Sequence, residues 1–443
     1  MIGRIETLVG RRVWDSRGKP TVEAEVHLTD GSFGRAIAPA GASRGSHEAI
    51  DLRDGGVAFG GYGVDNAIRT LVEVIAPAIV GLPADDQRLI DRRLIELDGT
   101  PQKARLGGNT TIATSMAVAH AAAAAAKVPL WSYLSAGEAR QLPMPMVQLF
   151  GGGAHANGRI DLQDILIVPM KAKSFGEATE IAAEVYRAGG TLLGDRGLLR
   201  GVADEGGWWP EFSNNEEALQ QTVDSIERAG LRPSEDVAIA IDVAASQLNY
   251  EGRYRLASEG VELTSEEFVD LLVGWCRRYP IVSVEDPVGE SDHAGMQAFT
   301  RAVSEGVQVI GDDYLVTSAR RIAEAARAKA CNAVLLKPNQ VGTLTETYDA
   351  LQAARQAGWH TVISARSGET EDVTIVHLAV GWCADQLKIG SFSRSERMAK
   401  WNEALRIEQT LSSRARFAGR VAIGGDCSIA PLWRLKNESN SRT

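Results

Sequence analysis

A set of polar side chains stands where apolar runs stop. Asp242 closes AIAID, Glu285 closes IVSVE, Asp312 follows VQVIG and Lys337 follows AVLL. Arg366 follows TVISA, Lys388 lies in DQLKIGS, and further upstream Glu205 closes GVADE. Three carboxylates aimed into one space repel each other unless a cation lies between them, and oxygen-only ligands favour Mg2+ over zinc. Capping of the next helix is the plainer role for any one of these acids, but it does not explain three with the same offset. Lys337 emerges from an apolar wall; beside a divalent ion its pKa would fall, which suits a general base, the alternative being simple charge neutralisation. Lys388, Arg366 and Ser367 have the character of anion-binding groups, the arginine offering a bidentate fork. Glu205, flanked by glycine, can donate or accept a proton. The set describes a metal site facing an anionic ligand.

Bringing such residues together needs strands that end at one rim. From Asp242 onward they recur at about the length of one strand, one helix and two loops, the rhythm of a parallel β/α barrel. Helical patterns such as SFGEATEIAAEVYRAGG and TSEEFVDLLVGWCRRY alternate with the strands, several opening on Ser, Thr or Asn and some closing on Gly. The chain before them differs. TVEAEVHL alternates apolar and polar residues, and Asp30-Gly31 is a hairpin turn ahead of SFGRAIAP. Helical patterns follow over 64–80, 85–97 and the alanine-rich 111–127. The expected architecture is α/β: an N-terminal α+β capping domain over 1–138 and a (β/α)8-type barrel over 139–443, with QLPMPMVQLF at the passage. Two glycine-rich segments, PAGASRGSHE with Ser43 and GGGAHANGR with His155, fit mobile lids over the barrel mouth, although glycine runs are hinges as often as ligand cradles.

At 443 residues two domains are the natural expectation. A formal net charge of −10 argues against nucleic acid as a partner, since nothing offsets phosphate repulsion over a broad surface. Cys276, Cys331, Cys383 and Cys427 have neither zinc-site nor redox-motif spacing, as for thiols in a reducing compartment. MIGRIETLVGRR lacks the apolar region of a secretion signal, and the greasiest stretch, 117–126, is far short of a bilayer span. No membrane partner and a cytoplasmic location are expected. The polar tail 436–443 is expected to fray.

Taken together, these segments resemble the enolases. The resemblance is carried by DSRGKPTVE, AGASRGSHEA, GGGAHA, LQD, DEGG and VEDP, and continues through GDD, LLKPNQVGT, ARSGETED and LKIGSFSRSERMAKWNEALRIE. It implies a Mg2+-dependent lyase that removes water from a 2-phosphoglycerate-like acid through an enediolate, with two Mg2+ per site and at least a homodimer. It implies that Asp242, Glu285 and Asp312 hold the first metal and that Ser43 holds a second. Lys337 would take the proton beside the substrate carboxylate, with Lys388 stabilising the charge that develops. Glu205, with Asp164 beside it, would serve the loss of the hydroxyl, and His155, among the catalytic residues, would close over the end that holds Ser43 and the phosphoryl oxygen. Arg366, Ser367, Gln163, Ser43 and Arg44 would contact substrate. A Lys or His base with one or two Mg2+ is the general pattern for such sites.

The chain departs from the family at one end of that site. Ala365 stands where the family has His, Asp164 where it has Glu, and Gly151 where it has Asn. Arg44 follows the lid serine, and Trp208-Trp209 follow DEGG. Drift in an ordinary enolase is the plain reading of each change, with the two tryptophans as rim packing. Together they cluster at the phosphoryl and leaving-group end while the metal triad and the cations persist. Room at Ala365 and a planar cation at Arg44 suit a phosphoryl group that bears an extra carboxylate. That is the substrate type of the enolase-like carboxyphosphonoenolpyruvate synthases of phosphonate antibiotic biosynthesis. Ordinary enolase is the alternative, followed by a non-catalytic paralogue.

Overall fold

A computed structural model describes residues 3–303 and 306–423. Cys427 and the tail 436–443 lie outside the described residues. The N-terminal part is an antiparallel sheet of β1 (Ile5–Trp14), β2 (Pro20–Leu28) and β3 (Phe33–Ile37), with Asp30-Gly31 in the turn before β3. Helix α1 (Gly108–Ala125) lies across it. The alanine run has a packing cause: α1 approaches the sheet almost backbone to backbone. A Cβ on Gly34 of β3 would lie 2.1 Å from the Ala121 nitrogen. Larger side chains on that face of α1 would hold helix and sheet apart.

The barrel strands are β4 (Met144–Gly151), β5 (Asp164–Val168), β6 (Ala238–Asp242), β7 (Ile281–Glu285), β8 (Gln308–Gly311), β9 (Ala333–Leu336), β10 (His360–Ser364) and β11 (Gln386–Gly390). The sheet closes through pairing of β11 with β4. Expectation and structure agree on the barrel and on the α+β domain before it. They differ at β5, which runs antiparallel to both β4 and β6, with Asp164 opposite Gly151 and Asp242. A reversed strand begins at the rim where its neighbours end, so Asp164 reaches the mouth as the first residue of its strand. Glu205 differs too. It is not on a barrel strand but in the turn of a hairpin, between strands Leu199–Val202 and Trp208–Pro210, the second of which pairs beside β4 at Phe150.

The period of two along each strand decides which residues reach the mouth. In β9, Ala333 and Leu335 face the barrel interior while Val334 and Leu336 face the helices, which is why AVLL is apolar throughout. The next inward position is Lys337. The same parity carries Ala238 and Ala240 to Asp242, Val362 and Ser364 to Arg366, and Met144 and Met146 to Gln148. The lower layers are thus largely apolar, with a few buried polar side chains such as Ser283, Gln308 and Ser364, and the top layer is polar and mostly charged, as expected of a packed barrel with its chemistry at one face. Ala422 and Ile423 join the interior cluster from the C-terminal side. Ser174, Asn214, Thr264, Ser318 and Thr343 each cap a following barrel helix with their side chains. Among the described residues no helix is long and apolar enough to cross a membrane.

Candidate active site

At the rim two lysines organise the acids. Lys388 Nζ lies 2.7 Å from Asp242 Oδ2, 2.7 Å from Glu285 Oε2 and 3.5 Å from Asp164 Oδ2. Lys337 Nζ donates to Asp312 Oδ2, and Gln340 Nε2 donates to Asp312 Oδ1 at 2.8 Å. All of these charged side chains are buried. Burial, then the neighbouring Asp242, pushes the Glu285 carboxyl well above the usual range. Burial alone would lower the Lys337 pKa, but Asp312 and Glu285 outweigh it and leave the ammonium favoured. Lys388 is raised further, against its burial, by Asp242 and Glu285.

Among the described residues, two groups bring three ligand atoms within 4.8 Å of one another: Asp286, Asp312 and Asp313, and His155, Asp164 and Glu205. The Asp242–Glu285–Asp312 set is not one of them, because each lysine draws acid oxygens toward itself. Its fit to Mg2+ rests on other grounds. Its donors are all hard oxygens, and Glu285 Oε1 is buried without a hydrogen-bond partner, which is costly unless a cation completes it.

Asp286, which the sequence analysis passed over, orders this corner. Its carboxylate accepts the Asp312 and Asp313 N–H groups at 2.9 and 2.7 Å. The only visible signal was a second acid directly after Glu285.

The anion-binding end joins both domains. Arg366 donates through Nη1 to Glu48 at 2.9 Å and Asn339 at 3.0 Å, and through Nη2 to the Ser43 carbonyl at 2.8 Å. The guanidinium lies flush on Gly41, where a Cβ would be 1.9 Å from Nη2. Ser367 Oγ accepts the Ala42 N–H at 2.6 Å and Arg17 Nη1 at 3.3 Å. Both lone pairs are thereby used, which leaves the hydroxyl proton to donate. Glu369 accepts the Arg366 N–H at 3.0 Å and pairs with Lys400, while Arg397 donates to the Arg366 carbonyl at 2.7 Å. Arg44 sits elsewhere: it is exposed and donates to the Ala49 carbonyl at 2.7 Å.

At the opposite end His155 Nδ1 is 3.0 Å from Asp164 Oδ1 and Nε2 is 3.9 Å from Glu205 Oε1. Burial would lower the His155 pKa, but Asp164 and Glu205 raise it overall. Burial raises the Glu205 carboxyl above its ordinary value. Asp164, although buried, is held low by His155. Gln163 Nε2 donates to Asp242 at 3.1 Å, and Gln247 in turn donates to Gln163 at 2.8 Å.

Trp208 stacks on Tyr186 at 4.5 Å, donates to its carbonyl and lies against Gly190, where a Cβ would be 2.4 Å from the ring. That is rim packing. Trp209 instead lies beneath Arg159 of the glycine-rich segment that bears His155, at 5.3 Å.

One narrow, tightly filled chamber unites Ser43, His155, Gln163, Asp164, Glu205 and Asp242 with Lys337, Ala365, Arg366, Ser367 and Lys388. Glu285 and Asp312 stand directly behind the two lysines; Arg44 does not line it. Such a chamber can bind a small acid, take a proton from it with an amine and return a proton to a leaving group with a carboxyl.

The comparison with known families agrees with that chemistry. The model of the enolase C-terminal TIM barrel domain matches residues 139–424, and that of the enolase N-terminal domain matches residues 5–134. Between them they span nearly the whole described chain, so the protein belongs to the enolase family, a family of metal-dependent lyases.

Proposed function

We propose that the protein dehydrates 2-phosphonoformylglycerate to carboxyphosphonoenolpyruvate, a step in the biosynthesis of a phosphonate natural product. Asp242, Glu285 and Asp312 would hold one Mg2+ and Ser43 a second; bound there, the metal supplies the positive charge that makes hydrogen beside a carboxylate acidic. Lys337 takes that proton, and Lys388 carries part of the charge that forms. Glu205, whose carboxyl pKa is raised by burial, protonates the leaving hydroxyl, with Asp164 and His155 holding the surrounding hydrogen bonds. Arg366 and Ser367 grip the phosphoryl end, and the two lids exclude water.

The observation that carries the choice of substrate is Ala365. It is 5% exposed, lines the chamber next to Arg366 and Ser367, and presents only a methyl group where the larger acid needs room. A second reading, dehydration of 2-phosphoglycerate itself, is favoured by Arg44, whose guanidinium is engaged with Ala49 outside the chamber. Purified protein with Mg2+ assayed on both acids decides between them by the absorbance of the enol product. Faster turnover of 2-phosphonoformylglycerate supports the first reading, and faster turnover of 2-phosphoglycerate replaces it with the second. Ala365→His combined with Arg44→Thr is expected to shift preference toward the plain phosphate by about 10-fold or more, the discrimination that a change of fit in a binding pocket typically brings.

A further inference from the structure

Gln148 ties together the two halves of the hydroxyl-removing end. It is the inward position of β4 above Met144 and Met146, and it is fully buried. Its amide nitrogen donates to Asp164 Oδ1, and its amide oxygen accepts the Gly207 N–H at 2.7 Å. Each end of the amide is committed, since a flip would set oxygen against carboxylate and NH2 against N–H. Gly207 belongs to the turn that carries Glu205, and a Cβ there would lie 2.5 Å from Gln148 Oε1, so the turn rests on the amide. Asp164 Oδ1 is shared with His155, while Oδ2 has no hydrogen bond and lies 3.5 Å from Lys388. Without Gln148 the carboxylate would lose its one fixed neutral donor and be free to swing toward the ammonium.

The Asp164 carboxyl is one methylene shorter than the glutamate expected at that place, and Gln148 reaches across from the adjacent strand to meet it. We propose that Gln148 is a positioning residue for the elimination step, matched in length to Asp164: its amide sets the direction of the short carboxylate and anchors the turn that presents Glu205. The proposal rests on the dehydratase reading, and the test separates the two.

The variants are Gln148→Glu, Gln148→Asn, Asp164→Glu and the pair Gln148→Asn/Asp164→Glu, each checked by thermal melting without metal. With Mg2+ and the acid that wild type turns over, kcat for dehydration and deuterium wash-in at the acidic carbon are both measured. Gln148→Glu is isosteric, keeps the acceptor for Gly207 and replaces the donor to Asp164 with a like charge. It is expected to lower kcat about 100-fold while wash-in by Lys337 persists, because misplacing one reacting group by about 1 Å costs that much. A merely structural role would depress both readouts together. Each other single variant is expected to lose about 10-fold or more, and the pair to recover at least 10-fold over the poorer single, as coupled neighbours do. Additive losses in the pair, or wild-type kcat in folded Gln148→Glu, overturn the proposal. Wild type that dehydrates neither acid overturns the dehydratase reading instead. Should Gln148→Glu fail to fold, the recovery of the pair decides.

Discussion

Lys337 and Asp312 show how one contact sets the state of a base. The acid favours the ammonium form, so in the proposed reaction proton removal from carbon would require that Asp312 be drawn to another positive charge. Lys337→Ala is expected to abolish deuterium wash-in, with kcat falling about 100- to 10,000-fold, and to lower the melting temperature because Asp312 is left buried without its partner. Normal wash-in in that variant would remove Lys337 from the mechanism. Asp242, Asp312 and Lys337 were legible because each sits two places above an inward apolar residue of its strand, and that parity is visible in AIAID and AVLL. Gln148 and Asp286 were not. An amide inside MPMVQLF has the look of an interruption in a strand, and an acid beside Glu285 has that of a solvated neighbour. Only the fold shows that one faces Asp164 and the other two backbone N–H groups.

Strands, hairpins and lids decide where those residues meet. The reversal of β5 was hidden because a strand has the same period of two in either direction, and DILIV is buried on both faces. The hairpin around Glu205 was hidden for a related reason: GVADEGG ends like a barrel strand, but its two glycines are there for close approach. A Cβ on Gly206 would sit 2.7 Å from Ser393 Oγ, and Gly207 meets Gln148. The segment that bears His155, expected to be a lid, is held by the face of Trp209 against Arg159. Removing that contact in Trp209→Ala is expected to raise KM about threefold, for a cation–π pair worth about 0.5–1 kcal/mol, with Trp209→Phe in between. An unchanged KM in Trp209→Ala would mean that the lid is held by other contacts.

Across the whole molecule the capping domain is a working part of the site. Glu48 supplies the counter-charge of Arg366 across the domain boundary, and both are almost fully buried. Glu48→Ala leaves that guanidinium without its pair and is expected to cost about 3 kcal/mol or more, read as a lowered melting temperature. A second junction sets an acid limit. His377 of the helix Thr374–Gly381 faces His120 of α1, with Asp372 nearby and Glu403 at 3.6 Å. Burial, then His120, lowers the His377 pKa to about 4. The unfolded side chain titrates near about 6.5, so stability is full above that pH and is lost as pH falls toward about 4, by on the order of 3 kcal/mol. His377→Gln is expected to melt with a shallower loss between those pH values, and an equal slope would exclude His377 as the cause.

The reversed strand has one more consequence. Because β5 starts at the rim, the stretch that bears His155 joins two adjacent staves at their upper ends and never travels down the outside of the barrel. Such a piece is a cassette: it can be lengthened, shortened or replaced while the helices keep their places, and natural variation in what this scaffold accepts has an easy point of entry there.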